Sequence, residues 1–423
     1  MDINLKYRKT VSLIMVSIFA LVFSFCGDDN EPIDQQVTVQ ERLEVLLATY
    51  DQDFLGYLAN AQQTMGKTIM TVAPVSSTTT IPKYMEIEGS HYEYGTLVAL
   101  IARQFGREPR RVSSGNLEFN NRIIDMYRTI YPQFLEVARG AGDVVGIAVE
   151  ELDFVHFEDD FFHGLWWNLL KYDQFQILHV AAASKFSGLR DDCALLSARP
   201  GNNTMVGRNF DSDHLKPHFV VLTRMEGVYR VLANASYTVY HWVMDGINER
   251  GLVMGTAANT TPPEYFWTDP YPSVPAIQQN HLFRIALETC ATVDQVIALY
   301  RSVRPWSPHS TGHLLVADAL GYSAVVEFGL DREPDFFRSE YDNQVLTNIA
   351  YHMGIEYMMD NCWRFRTAAS MAANGVNSAD DVLDIMHTIR GTHGYTAIFN
   401  IRERLMRGYY LSDETGHYDF RLE

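Results

Sequence analysis

The stretch that decides the fold is RDDCALLSARPGNNTMVGRNFDSDH, residues 190–214. Two apolar runs, ALLSA and TMVGRNFD, flank PGNN at 200–203, and turn residues of this kind predict a β-hairpin. Folding the runs together places Cys193 opposite Phe210 or Asp211, because the sequence leaves a one-residue choice of register open. The predicted hairpin therefore brings a cation and a carboxylate close to a single thiol.

Arg208 and Asp211 of this hairpin suit a thiol nucleophile. A nearby guanidinium favours the thiolate form of a cysteine, and a carboxylate can hold an ammonium by charge-assisted hydrogen bonds. No lysine lies near in sequence, so an α-amine released by cutting the chain before Cys193 would fit that place. Such an amine has an ordinary pKa of about 7.7–8.0 and can act as a base near neutral pH. The residues alone leave open that Cys193 is a buried strand residue beside an ordinary Arg208–Asp211 ion pair.

The character of the chain changes at Cys193. Before it, runs such as GTLVALIARQF and RIIDMYRTIYPQFLEVA have helical periodicity, and the Pro/Ser/Thr-rich residues 71–84 predict a connection. After it, short apolar or alternating runs predict strands, with turn residues between them. Helical runs interrupt these strands, and Thr292 and Ser378 are expected to cap two of the helices. The pattern predicts an α+β fold whose sheets are covered by helices.

The overall charge disfavours several function classes. The formal net charge is −18 over 423 residues, with a sequence pI near 5.2, and such a surface repels phosphate backbones. The 14 histidines form no HExxH or comparable ligand pattern, so we expect no metal and no cofactor. We expect no nucleic acid as a partner.

The N-terminus predicts export. Basic residues precede an apolar run, Val11–Phe25, which is shorter than the roughly 20 residues of a spanning helix. Cys26 and the acidic residues after it resemble a bacterial lipoprotein signal, which implies lipidation of Cys26 and anchoring in the cell envelope, at the outer membrane or surface. An uncleaved membrane anchor is the alternative. Membrane contact is expected only through this anchor.

The ordered motifs resemble a known family. Cys193, then GRNFD at 207–211, then DGINERGL at 245–252 is similar to the N-terminal-nucleophile (Ntn) hydrolases of the choloylglycine hydrolase and acid ceramidase type. The branch of penicillin acyltransferase-like autoproteolytic acyltransferases and hydrolases is the most similar, since it carries a motif like GSHYEYG at 89–95 in a helical pro-segment. The resemblance covers roughly residues 85–420 and implies a four-layer αββα sandwich.

The resemblance also implies domain bounds and site residues. The expected segments are a lipoprotein-type signal peptide at 1–26, a tether and N-terminal helix at 27–84, a helical pro-segment at 85–192 and a catalytic αββα domain at 193–423. The implied site residues are Cys193 as nucleophile freed by self-cleavage of the Asp192–Cys193 bond, Arg208 beside the thiol, Asp211 orienting the α-amine, Asn259 and Asn348 holding substrate and oxyanion, and Arg364 completing the network, with Arg366 competing for that place.

The resemblance therefore implies a self-activated cysteine hydrolase with a small-molecule substrate. It would cleave a linear N-acyl amide, not a peptide, through a thioester acyl-enzyme. An acyltransferase that passes the same acyl group to an amine is the first alternative. A non-catalytic surface lipoprotein that retains the fold is the second.

Overall fold

The computed structural model describes residues 54–74, 83–104, 108–154, 192–211, 219–235, 243–259, 275–303, 305–306, 312–328, 334–339, 341–391, 394–410 and 416–422. The predicted signal peptide and Cys26 lie outside these residues, as do 27–53 and 75–82 of the predicted tether and N-terminal helix and 155–191 of the predicted pro-segment. The helices are α1 (54–65), α2 (His91–Gln104), α3 (Leu117–Ile130), α4 (Pro132–Val145), α5 (Gln279–Thr289), α6 (Val293–Ser302), α7 (Ile355–Asn361), α8 (Trp363–Ala373) and α9 (Ala379–Ile389).

The strands form two large sheets and a two-stranded parallel ribbon. The strands are β1 (Met70–Pro74), β2 (Lys83–Gly89), β3 (Asp192–Ala198), β4 (Met205–Asp211), β5 (Phe219–Met225), β6 (Val231–Ala235), β7 (Val243–Asn248), β8 (Val253–Ala258), β9 (Ile277–Gln278), β10 (Pro305–Trp306), β11 (Gly312–Ala317), β12 (Ser323–Phe328), β13 (Pro334–Arg338), β14 (Asn343–Leu346), β15 (Tyr395–Asn400), β16 (Leu405–Tyr410) and β17 (Tyr418–Arg421). The nine-stranded sheet has the order β1-β2-β5-β6-β7-β8-β11-β12-β13, and the six-stranded sheet has the order β14-β3-β4-β15-β16-β17.

The predicted hairpin is present as β3 and β4. Its antiparallel register pairs Cys193 with Phe210 and Leu195 with Arg208, which selects one of the two registers that the sequence left open. The turn closes through a hydrogen bond from the Asn203 N–H to the Pro200 carbonyl, 3.2 Å long. Every other residue of each strand therefore faces the second sheet, and both Cys193 and Arg208 belong to that face.

Three hydrophobic cores define four layers. One core lies between the two sheets and includes Leu195, Phe210 and Leu315. A second lies between the outer face of the six-stranded sheet and α7, α8 and α9. The third lies between the outer face of the nine-stranded sheet and α1 to α6. The predicted four-layer αββα sandwich is confirmed.

The part of the chain before Cys193 contributes strands as well as helices. β2 pairs in parallel with β5, and β1 pairs with β2 at the sheet edge. The connection predicted over 71–84 is therefore wrong at both of its ends, since β1 ends at Pro74 and β2 begins at Lys83. The sequence carried a signal for β2, because the apolar Met85 and Ile87 alternate with glutamates. In the structure both apolar residues are buried.

The GSHYEYG segment anchors this N-terminal part to α5. His91 Nε2 lies 3.1 Å from the Tyr131 hydroxyl and 3.9 Å from the carboxylate of Glu288 on α5. Gly95 lets α2 cross α4 closely, since a Cβ atom there would lie 2.0 Å from the Val137 carbonyl oxygen. The motif thus has a structural role in the outer helical layer, where a larger residue at position 95 would force the two helices apart.

Candidate active site

Cys193 stands at the start of β3, in the core between the sheets, with 5% of its surface exposed. Its backbone N–H donates to Asn348 Oδ1 at 2.6 Å. The strand register explains this contact: β14 pairs Leu346 with Leu195, so continuing the antiparallel pairing places Asn348 beside Cys193. The nitrogen that self-cleavage would convert into an α-amine is therefore held by a side-chain amide.

Asn348 also connects the two sheets. Its Nδ2 donates to the carbonyl of Ala258, at the end of β8, over 2.7 Å. Asn259 follows Ala258 directly and is half-buried, so the structure brings both predicted asparagines to one end of the inter-sheet core. Both the oxygen and the nitrogen of the Asn348 side-chain amide are thus engaged, the oxygen toward Cys193 and the nitrogen toward β8.

Arg208 lies completely buried in the inter-sheet core. Its Nε is 3.5 Å from Oδ2 of Asp245, which β7 supplies from the opposite sheet. Burial lowers the pKa of Arg208, but electrostatic interactions with Cys193, Tyr395 and Asp245 outweigh it and raise this pKa above its ordinary value. A permanent cation therefore stands beside the thiol, where it can attract negative charge that develops on the sulfur.

Asp211 is paired with Arg364. The two side chains are joined by a 2.8 Å bond from Nη1 to Oδ2, and both are buried. The competing Arg366 is exposed and donates to the Met359 carbonyl instead. Arg208 and Asp211 consequently have separate ion partners, so the Arg208–Asp211 pair considered from the sequence is not the arrangement found.

Two residues for which no site role was predicted, Asp245 and Gly391, hold these ion pairs in place. Asp245 accepts a 2.6 Å hydrogen bond from Asn234 Nδ2 and another from the Tyr395 hydroxyl, which fixes the carboxylate against Arg208. Gly391 donates its backbone N–H to Asp211, and a Cβ atom there would lie 2.9 Å from Asp211 Cγ. The DGINERGL motif carried a signal for Asp245, because an acid within a strand calls for a partner.

The asparagine of DGINERGL has a different role from its aspartate. Asn248 Oδ1 accepts from the N–H groups of Arg250 and Leu252, each over 3.0 Å. Its Nδ2 donates to the carbonyls of Leu287 and Cys290. Asn248 therefore builds the β7–β8 turn and ties it to α5, away from the thiol.

In the described part of the chain, no group of three or more His, Cys, Asp or Glu side chains could hold a metal ion. The described helices include none that is both long and apolar enough to cross a membrane.

Sequence comparison connects this geometry to known proteins. Residues 198–367 match the family described as acyl-coenzyme A:6-aminopenicillanic acid acyl-transferase. Over these residues, the resemblance to the penicillin acyltransferase-like family is thereby confirmed. No curated protein matches the chain at a significant level.

Two solved structures resemble about half of this chain. A variant of the conjugated bile acid hydrolase from Clostridium perfringens is 13% identical, with a TM-score of 0.46 over 54% of this chain and 92% of that chain. Penicillin V acylase from Agrobacterium tumefaciens is 16% identical, with a TM-score of 0.42 over 54% and 86% of the two chains. At these identities the likeness concerns the fold alone.

The acyl-transferase match includes most of the candidate site. It spans Arg208, Asp211, Asn259, Asn348 and Arg364, and it begins shortly after Cys193. Cys193 itself lies outside the matched residues, at the head of β3 beside Asn348.

Asp211 is predicted to make stability depend on pH. Burial raises its pKa to about 6, although Arg364, the Gly391 N–H and Arg208 oppose this. Because the folded pKa lies above the unfolded value of about 3.9, the stabilisation is complete below about pH 4 and is lost as pH rises through about 6. Between these limits we expect the wild type to lose on the order of 1–3 kcal/mol of unfolding free energy relative to Asp211→Asn.

Urea unfolding of both proteins from about pH 4 to pH 7 measures this difference. The asparagine variant is nearly isosteric, so packing is retained and only the titrating group is removed. Parallel stability curves for the two proteins would contradict the raised pKa of Asp211.

Proposed function

We propose that the chain is a cysteine Ntn enzyme that cuts itself between Asp192 and Cys193 and then cleaves linear N-acyl amides. The observation that carries the proposal is the position of the Cys193 backbone nitrogen, held at 2.6 Å by Asn348. The same residue's side chain interacts with the buried Arg208 cation. A nucleophile and its own base can therefore arise from one residue once the bond before it is broken.

The self-cleavage step uses groups already in place. The Cys193 sulfur attacks the carbonyl carbon of Asp192, the C–N bond breaks, and the thiol proton passes to the departing nitrogen. Water then hydrolyses the resulting thioester, which leaves a carboxylate on residue 192 and a free α-amine on Cys193. Asp192 pairs with Asp211 in the hairpin register, so the buried Asp211–Arg364 pair lies beside the bond that breaks.

The amide-cleaving step repeats this chemistry on a substrate. The α-amine takes the thiol proton, the sulfur attacks the substrate carbonyl, and the amine returns the proton to the leaving nitrogen. Asn348 holds the α-amine, while the neighbouring Asn259 is suited to donate to the oxyanion, a contribution of about 2.7–4 kcal/mol in comparable sites. Water finally releases the acyl group as a carboxylate.

Acyl transfer is the second candidate function. The description of the matched family favours it, and the same thioester gives transfer whenever an amine replaces water in the last step. The two functions share every site residue, so product analysis must separate them.

Intact-mass analysis of the purified wild type tests the proposal. We expect two chains whose boundary lies before residue 193, because the thiol and its target carbonyl are adjacent in the chain. The cut protein is then incubated with N-acyl amides carrying bile-acid, fatty-acyl, β-lactam and peptide-like groups, with and without an acceptor amine. Free carboxylates indicate hydrolysis and new amides indicate transfer. An uncut wild type that is inert on the whole panel would favour the non-catalytic alternative.

A further inference from the structure

A chain of imidazoles and carboxylates lies behind Asn348. His313 Nδ1 is 2.7 Å from Glu327 Oε1, and His352 Nδ1 is 2.6 Å from Glu327 Oε2. The other ring nitrogen of His352 lies 2.5 Å from Asp335 Oδ2. This series of hydrogen-bonded side chains thus begins at the fully buried histidine of β11, passes through Glu327 on β12 and then His352, and ends at the largely exposed aspartate of β13.

Glu327 also fixes the backbone that follows Asn348. Its two carboxylate oxygens accept the N–H groups of Tyr351 and His352 over 2.6 and 3.2 Å. These residues form the short helical turn directly after the segment that carries Asn348. A buried carboxylate with four such partners holds that turn in one position.

The second support of Asn348 leads back to the same carboxylate. His313 pairs across β11 and β8 with Ala257, and the next residue, Ala258, accepts the Nδ2 hydrogen bond of Asn348. Glu327 is therefore linked through His313 to the strand that Asn348 reaches. It is linked through its backbone contacts to the segment from which Asn348 projects.

A buried carboxylate at position 327 costs folding stability that an apolar side chain there would not cost. Glu327 is 1% exposed, and a carboxylate in such a place must be compensated by every partner it has. Burial raises the pKa of Glu327, but His313, the Tyr351 N–H and His352 lower it by more. The pKa therefore lies below its ordinary value, and the group stays charged. A charge kept in the interior at this position is in keeping with a role beyond packing.

We propose that Glu327 is a positioning residue that holds Asn348 against the Cys193 nitrogen. The inference rests on the proposed function, because a correctly placed Asn348 matters only if that nitrogen takes part in the chemistry. Glu327 acts through His313 and through the 351–352 backbone, and it touches no reacting atom.

His352 gives the positioning a pH dependence. Both ring nitrogens face carboxylates, and only the imidazolium can donate to Glu327 and Asp335 at once. The charged groups that face the ring are Glu327 from β12 and Asp335 from β13, with His313 of β11 beyond Glu327. Burial lowers the pKa of His352, but the bonds to Asp335 and Glu327 raise it above 6.5. The stabilisation is complete below about pH 6.5 and is lost as pH rises through the raised pKa.

The experiment compares Glu327→Gln and His352→Gln with wild type. The readouts are the rate of self-cleavage by intact mass and kcat and KM on whichever amide of the panel the wild type cleaves. For Glu327→Gln we expect both rates to fall about 10- to 100-fold with little change in KM, because misplacement impairs chemistry more than binding. For His352→Gln, whose ring is partly exposed, we expect a smaller fall and an alkaline limb of the pH profile that differs from wild type.

Glu288→Gln is the matched control. Glu288 is equally buried and paired with Arg284 at 2.6 Å, but it lies on α5, in the helical layer that covers the outer face of the nine-stranded sheet. We expect it to lower the melting temperature while the folded protein keeps wild-type kcat. Should Glu327→Gln fail to fold, His352→Gln decides the question by its pH profile and kcat.

The outcomes separate this inference from the proposed function. A wild type that cuts itself and hydrolyses an amide, beside Glu327→Gln and His352→Gln variants with unchanged rates and pH profiles, would overturn the positioning role alone. A wild type that does neither would overturn both. An equal loss of kcat in Glu288→Gln would reduce Glu327 to a general contributor to stability.

Discussion

Cys193→Ala is expected to yield a single uncut chain with no amide-cleaving activity. The substitution removes the sulfur that attacks both the Asp192 carbonyl and the substrate carbonyl, and no neighbouring group replaces it. Intact mass and the amide panel measure the two losses on one preparation. Because Cys193 is small and lies at the start of β3, we expect the melting temperature to change little.

Two further variants give this result its meaning. Cys193→Ser keeps a nucleophile with a much higher pKa, so slow and partial self-cleavage is expected. Cys290→Ala is the control: burial raises the pKa of the Cys290 thiol to about 11, and the residue lies at the end of α5, so activity should persist. Two chains from Cys193→Ala would instead assign the cut to an outside protease, and the self-cleavage mechanism would fail.

The hairpin shows how much of the site the sequence could predict. The PGNN turn predicted the pairing of two apolar runs, so the closeness of the Arg208 and Cys193 backbones followed from short-range rules. The register did not, because both choices bury apolar residues, and only the second sheet, packed against the Cys193 and Arg208 face, distinguishes them. The residues near Cys193 in the hairpin were therefore predictable, but the face of the hairpin that each side chain occupies required tertiary structure.

The ion-pair partners of Arg208 and Asp211 could not be predicted from the sequence either, because they too depend on tertiary structure. Arg208 finds Asp245 across the interface of two sheets, and Asp211 finds Arg364 on a helix after β14. Charge within one hairpin suggested an Arg208–Asp211 pair, since nearby opposite charges are the natural first choice. Contacts between distant segments depend on how the layers stack, and no spacing in the sequence reports that.

Arg208→Met is expected to impair both the fold and the chemistry. It leaves the Asp245 carboxylate fully buried without its cation, and breaking a buried ion pair in this way costs about 3–5 kcal/mol of unfolding free energy. It also removes the cation beside Cys193 that would stabilise negative charge developing on the sulfur during attack, so self-cleavage should slow by about one or more orders of magnitude. Urea unfolding and timed intact-mass analysis measure the two effects.

The double variant Arg208→Met with Asp245→Asn separates stability from chemistry. Neutralising Asp245 removes the uncompensated charge while Asn234 and Tyr395 still have an amide to bond, so most of the lost stability should return. Self-cleavage should remain slow, because no cation stands beside Cys193. If the double variant regained wild-type cleavage together with its stability, Arg208 would serve the fold alone, and self-cleavage would not depend on a cation beside the thiol.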